Sequence, residues 1–326
     1  MKDMCITSFV FGDSYQDYIP LFIFSVQEAY PEYDIFIFID KTLSLNVLEQ
    51  VKKLDSKKNV HLIENYTKDI DFKNAIPYGA AVRWLLWDDR FLEYQSIYIA
   101  DIDIFYCKEN VSIFNQHEMH CNYIDLPFSN VVRKPKKIKR FDLIELVRNI
   151  KRMSLKRAIK CFFLCKGEEK RLTGLHFIRT SFQKEIIKNH GSYFWDIIKK
   201  KKFLPHHSRG FNDESFLYDI CKKSKHDYKK IPESSTNNSM LDSAPDNTCF
   251  RPHHGIHLGI FRGKSLSHDS VEILNTKAYK MYYSYIEEKN ILKNIPENLS
   301  HKPKKELLKL YEYYSSEETL VYDRND

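Results

Sequence analysis

The chain has 326 residues, with 51 Lys and Arg against 44 Asp and Glu, a net charge of +7 at pH 7. Hydrophobic residues make up 43% and aromatics 14%, which excludes a disordered chain, and 9 glycines exclude a collagen-like or Gly-rich one. No apolar run reaches the roughly 18 residues of a membrane-spanning helix, and the start, MKDMCITSFVFGDSY, lacks the basic, apolar and small-residue regions of a signal peptide. Seven cysteines with no C-x-x-C pair read as reduced thiols of a cytoplasmic protein, not as a disulfide framework or a zinc site.

In chain order, Cys5 to Phe11 reads as a buried strand. Asp17 can cap a helix over Tyr18 to Tyr30, with Pro20 tolerated in its first turn and Pro31 as its stop. Asp34 to Asp40 is apolar between its two acids, the pattern of a strand covered on both faces. Ser44 can cap a helix through Leu54, and Asn59 to Glu64 predicts a third strand. Tyr78 to Asp88 predicts a helix with Ala80, Ala81, Trp84 and Leu85 turned inward, and Ser96 to Ala100 a fourth strand running into Asp101-Ile-Asp103. Strands alternating with helices imply an α/β fold, a mostly parallel sheet flanked by helices, whose ligands lie at the carboxyl ends of the strands.

Residues 133–171 hold fifteen Lys and Arg against four acids, an excess of eleven positive charges that exceeds the charge of the whole chain. Ile144, Val147, Ile150, Leu155, Ala158, Ile159 and Phe162 recur there at helical spacing, with Arg148, Lys151, Arg152, Lys156 and Lys160 between them. A basic helical insertion of this kind is either a solvated face or an attachment to an anionic membrane surface. No helix-turn-helix, zinc finger or RNA-recognition motif accompanies it, so nucleic acid is not the expected partner. Residues 233–248 are polar and turn-rich and read as a loop, and a helical tail begins near 276, broken by Pro296 and Pro303. The expected division is 1–132, the first half of the α/β domain; 133–171, the basic insertion; 172–270, its second half; and 271–326, the tail.

Asp101-x-Asp103 is the first chemical candidate. The spacing alone is cheap, as a second copy at Asp69-Ile-Asp71 shows, but only Asp101 follows an apolar strand. A carboxylate pair among Ile102, Ile104 and Phe105 is costly unless a cation compensates it, and Mg²⁺ or Mn²⁺ shared with phosphate does so with hard oxygen ligands. His257 would complete a mixed nitrogen and oxygen site, which favours Mn²⁺, with His254 as the alternative ligand. Arg83 carries a planar fork suited to a diphosphate, or is an ordinary helix arginine. Asp213 and Glu214 open a helix, as catalytic or acceptor-binding acids or as partners of its dipole. Gly174 would let a ligand approach closely, or is a turn glycine. His206 and His207 are weaker binding-site candidates.

Ala80-Ala-Val-Arg-Trp-Leu-Leu86 followed by Ser96-Ile-Tyr-Ile-Ala-Asp-Ile-Asp103 resembles the entry to the D-x-D site of GT-A fold glycosyltransferases. The opening strand with Tyr15, Tyr18 and Ser25 is similar to the nucleotide-binding start of that fold. Thr173-Gly-Leu-His-Phe-Ile-Arg-Thr180, Asn212-Asp-Glu-Ser215 and His253-His-Gly-Ile-His257-Leu-Gly259 follow in the order of the retaining galactosyltransferase and glycogenin group, family 8. The resemblance runs over about residues 4–265, broken at the basic insertion. It implies a metal-dependent hexosyltransferase using a nucleotide-diphospho-sugar, a UDP-sugar foremost, and a glycan or lipid-linked acceptor. A bacterial capsule or lipopolysaccharide enzyme, cytoplasmic and peripheral at the inner face of the membrane, is the implied setting. It also implies Asp101, Asp103 and His257 as metal ligands, Asp213 and Glu214 as catalytic acids, and Thr7, Phe9, Tyr15, Arg83, Asp101, Gly174 and Arg262 on the donor. The pattern departs at one place: His257 and Gly259 are two apart where the family has three, and Arg262 and Lys264 follow without the family's Lys-Pro-Trp. Retaining and inverting chemistry therefore both stay open. A sugar nucleotidyltransferase would carry a Gly-rich basic loop after the first strand, which Gly12-Asp-Ser-Tyr15 does not supply. A non-catalytic basic scaffold would release no nucleoside diphosphate.

Overall fold

In the computed structural model, residues 1–54, 59–72, 75–223, 226, 228–229, 231–233, 253–263, 266–297 and 299–322 are described. Along the chain, β1 (Lys2–Val10) is followed by α1 (Asp13–Gln16) and α2 (Ile19–Ala29), β2 (Asp34–Ile39), α3 (Leu45–Leu54) and β3 (Val60–Ile63). Then come α4 (Ile76–Ala81), β4 (Tyr94–Ala100), β5 (Ile104–Phe105), α5 (Ile113–Ile124) and β6 (Phe128–Ser129). The basic segment forms β7 (Val132–Ile138), α6 (Leu143–Arg152), α7 (Leu155–Leu164) and β8 (Gly167–Leu172). After β9 (His176–Arg179), α8 (Thr180–Lys199) and α9 (Asp213–Lys222) come β10 (Ile256–His257), α10 (His268–Leu274), α11 (Lys277–Glu288), α12 (Ile291–Asn294) and α13 (His301–Tyr322). Most of the loop expected at 233–248, and Lys264, lie outside the described residues.

The chain divides into two compact units built from interleaved stretches. The amino-terminal unit comprises 4–66, 100–115 and 253–326. In it β1, β2 and β3 pair in parallel, with Cys5 opposite Asp34 and Ile35 opposite Val60. Every residue of β2 is buried, as its unbroken apolar run requires. Pro20 sits in the first turn of α2, and Ser44 accepts from Val47 N at 3.4 Å to start α3. The carboxyl ends of β1 and β2 are tied together by Gly12 N donating to Asp40 Oδ2 at 3.2 Å.

The central unit comprises 1–3, 67–99 and 116–252. Here β4, β9 and β6 pair antiparallel, with Ser96 opposite Arg179 and Phe128 opposite Ile178. A second antiparallel ribbon, β7 with β8, carries α6 and α7 at its end, so the basic insertion is a helix pair on a two-stranded stalk. The α/β class is as the alternation implies. The helix expected over Tyr78 to Asp88 is shorter: α4 ends at Ala81 and a tight turn covers Val82–Leu85. Helix continuation loses there because tertiary partners take the backbone groups. Gln183 Nε2 donates to the carbonyls of Trp84 and Leu86, each at 3.2 Å. Among the described residues no helix is long and apolar enough to cross a membrane.

Candidate functional site

The site in the amino-terminal unit is set by a two-residue ribbon. β5 pairs antiparallel with β10, placing His257 opposite Ile104, and Leu258 N donates to the Asp103 carbonyl at 2.8 Å. His257 Nε2 consequently lies 3.2 Å from Asp103 Oδ2. Gly255 makes this closure possible: its φ is +109°, and a Cβ there would stand 2.2 Å from the Phe105 carbonyl oxygen. The Tyr279 hydroxyl accepts from His257 N at 3.1 Å and fixes the ribbon from α11. One potential ligand atom each from Asp101, Asp103 and His257 fall within 4.8 Å of one another.

His254, the alternative ligand, is corrected by its surroundings. It is wholly buried with Nδ1 3.0 Å from Glu109 Oε1, which also accepts from the Tyr282 hydroxyl at 2.8 Å. It braces Glu109, and His257 is the histidine beside the aspartates.

Arg262 completes the cluster. Its Nη2 donates to Asp103 Oδ2 at 2.6 Å, its Nη1 to the Tyr15 hydroxyl at 2.9 Å and its Nε to the Tyr18 hydroxyl at 3.1 Å. Tyr18 in turn donates to Glu306 of α13, whose oxygens lie at 2.8 and 2.9 Å. Burial pushes the Asp103 carboxyl up, but His257 and then Arg262 outweigh it and hold it at about 2. Burial pushes His257 down, and the facing Asp103 more than reverses this, so its pKa is raised.

The donor set fits a divalent cation on two grounds. It combines hard carboxylate oxygens with one imidazole, which suits Mn²⁺ and also admits Mg²⁺. Residue 259 is glycine, and a Cβ there would stand 3.0 Å from both Asp103 Oδ2 and His257 Nε2. The backbone thus keeps clear the space where those two donor atoms converge. His257 Nδ1 is buried with no hydrogen-bond partner among the described residues, so what faces Nε2 decides the ring's tautomer.

Of the residues expected on the donor nucleotide, Tyr15 is half-buried and stacked on Phe11 with ring centroids 6.4 Å apart, and the Arg262 guanidinium lies 4.9 Å above its ring. Phe9 is buried against Phe11 at 6.0 Å. Thr7 is closed to solvent within β1, its hydroxyl without a hydrogen-bond partner among the described residues. Asp40 was not singled out by its sequence. It directly follows β2, its Oδ1 is buried with no hydrogen-bond partner among the described residues, and burial raises its pKa. The signal was an acid closing a wholly apolar strand, where ligands of such sheets lie.

The remaining candidates fall in the central unit. Arg83 is buried, stacked on Trp84 at 4.3 Å, and its Nη2 donates to Asp213 Oδ2 at 2.8 Å. Asn212 caps α9 by accepting from Ser215 N at 3.1 Å, which places both acids in the first turn. Glu214 is gripped by Arg133 Nη1 at 2.7 and 2.8 Å, with Arg171 at 3.7 Å. Burial, the largest influence, raises the Glu214 pKa against the pull of Arg133. Gly174 lies in the turn between β8 and β9, whose shape is held by Asn130: Oδ1 accepts from Thr173 N and Nδ2 donates to the Leu175 carbonyl. His206 and His207 both place Nε2 on Asp219 Oδ2, at 2.8 and 2.9 Å. Their geometry with Asp219 is compact enough for a metal, yet His207 Nδ1 accepts from Asn212 N at 3.0 Å. Neutral His207 therefore carries its proton on Nε2 and donates it to Asp219, which opposes ligation there. Asn130, Arg133, Arg171 and Asp219 escape sequence reasoning because only distant partners give them meaning.

No family model matches the chain, and no curated protein does. Among solved structures the chain is similar to the mannosyltransferase Ktr4p from S. cerevisiae in complex with GDP, at 13% identity over 83% of this chain and 84% of that one, with a TM-score of 0.38. It is also similar to the galactosyltransferase LgtC with donor and acceptor sugar analogues, at 14% identity over 90% and 98%, TM-score 0.39. A third is core-mannan synthase A from Aspergillus fumigatus in its Mn/GDP form, at 7% identity over 68% and 69%, TM-score 0.38.

Proposed function

We propose that the chain is a divalent-cation-dependent glycosyltransferase that takes its sugar from a nucleotide-diphospho-sugar. The observation that carries this reading is the Asp101, Asp103 and His257 cluster with Arg262 on the same carboxylate oxygen. Asp101, Asp103 and His257 would hold Mn²⁺ or Mg²⁺, which when bound neutralises a diphosphate leaving group. Arg262 supplies a guanidinium fork for phosphate oxygens, and Asp40 a carboxylate for a ribose or base donor group. Asp213 and Glu214 are the acids proposed for the transfer step. Glu214, pushed up by burial, is the better proton acceptor, and Asp213 with Arg83 the better charge stabiliser. The motif order favours a hexose, a UDP-sugar and retention, with a glycan or lipid-linked acceptor in the synthesis of a surface polysaccharide such as capsule or lipopolysaccharide.

The test is a thermal-shift panel of nucleotide-sugars with Mn²⁺ present. A cognate donor at 100 times its dissociation constant stabilises the fold by about 2.7 kcal/mol. Stabilisation that needs both donor and Mn²⁺ supports the reading. No shift with any nucleotide-sugar contradicts it.

A further inference from the structure

The helix pair α6–α7 is built inside out. Of the eighteen large apolar side chains that are exposed among the described residues, nine lie between residues 141 and 164. Leu143, Ile144 and Val147 on α6 and Leu155, Ile159 and Phe163 on α7 are between 43% and 68% exposed. The positions turned toward the protein are instead small or polar: Asn149, Ala158 and Cys161 are buried. A helix that presented its apolar stripe to its own core would show the reverse.

The outward faces also carry basic residues in register with the apolar ones. Arg148 and Lys151 follow Val147 and Ile150 on α6, and Lys156 and Lys160 follow Leu155 and Ile159 on α7, all of them exposed. The stalk adds exposed Lys134, Lys137, Lys139 and Arg140. Residues 133–171 carry eleven excess positive charges while the whole chain carries +7, so everything else is net acidic. Attraction to an anion is therefore local to this element.

We propose that the outer face of α6 and α7 lies on an anionic lipid surface, with Ile144, Val147, Ile159 and Phe163 entering the acyl boundary and the neighbouring Lys and Arg meeting the headgroups. A second copy of the chain is disfavoured as the occupant, because it would bring like charge against like charge across the apolar contact. A nucleic acid would satisfy the charges and leave the apolar side chains in water. The inference does not rest on the catalytic reading, since its test involves no nucleotide.

The experiment is sedimentation of the full chain with vesicles of phosphatidylcholine alone and of phosphatidylcholine mixed with phosphatidylglycerol. The chain is expected to pellet with the mixed vesicles only, and to be released as salt rises from about 0.1 to 1 M, where the Debye length falls from about 10 to 3 Å. Replacing Arg148, Lys151 and Lys156 by Glu is expected to lower partitioning at least about a hundredfold, from about fivefold per basic residue. Replacing Ile144, Val147, Ile159 and Phe163 by Ser is expected to lower it at least tenfold, on the order of what the lost apolar burial supplies. These side chains are exposed, so an unchanged melting temperature is the control for both variants. Failure to pellet with the mixed vesicles at low salt overturns the proposal, as does equal pelleting with phosphatidylcholine alone. A dimer in solution that the Ser variant dissolves also overturns it and makes the face a contact between copies.

Discussion

Arg262 Nη2 lies 2.6 Å from Asp103 Oδ2, across 159 residues of chain. The same oxygen faces His257 Nε2 at 3.2 Å, so one carboxylate oxygen serves both a guanidinium and an imidazole. A divalent cation bound at that oxygen competes with the guanidinium. Arg262→Ala is therefore expected to bind Mn²⁺ alone more tightly than the parent and a nucleoside diphosphate with Mn²⁺ more weakly. Calorimetric titration of each checks it. Weaker Mn²⁺ binding in the variant would mean that Arg262 organises the acids and does not compete for them.

Gly259→Ala changes no ligand, yet its Cβ would stand 3.0 Å from Asp103 Oδ2 and His257 Nε2. The expected outcome is a folded protein with an unchanged melting temperature and Mn²⁺ affinity lowered by roughly 10–100-fold, the scale at which disturbed metal surroundings act. Unaltered Mn²⁺ affinity would place the cation elsewhere.

Tyr18 joins the cluster to the carboxyl-terminal helix, accepting from Arg262 and donating to buried Glu306. Tyr18→Phe leaves that carboxylate short of a donor and is expected to cost about 1–3 kcal/mol. Urea unfolding measures it, and an unchanged midpoint would show that α13 docks without this link.

The elements up to β4 were legible because their signals are local: an unbroken apolar run at Ile35–Ile39, a proline in the first turn of α2, Ser44 before α3. The end of α4 was not, because Gln183, about a hundred residues on, takes the carbonyls that would have continued it. The acids Asp101 and Asp103 stood out by following an apolar strand. The choice between His254 and His257 did not, since both lie in one His-rich stretch and only the β5–β10 register and Glu109 separate them. Asp213 and Glu214 were visible as helix-opening acids, but the arginines that hold them, Arg83 and Arg133, become partners only in the folded chain.

His176 gives the central unit a pH dependence. Buried beside Asn130 Nδ2, 3.0 Å from its Nδ1, it is held down by burial to about 3. The unfolded chain takes up a proton near pH 6.5 that the folded chain refuses. Its contribution is therefore complete above pH 6.5 and is lost as pH falls toward 3, at up to about 1.4 kcal/mol per pH unit. Urea midpoints at pH 7.5 and 5 are expected to differ more for the parent than for His176→Gln. Equal differences would assign the acid sensitivity to other groups.

The most direct test of the central claim is release of nucleoside diphosphate from a panel of nucleotide-sugars, followed in Mn²⁺, in excess EDTA, and with Asp103→Asn in Mn²⁺. The account predicts release from at least one donor in Mn²⁺, none in EDTA, and a loss of orders of magnitude in the variant while its circular dichroism is retained. Undiminished release in EDTA or in the folded variant would contradict it.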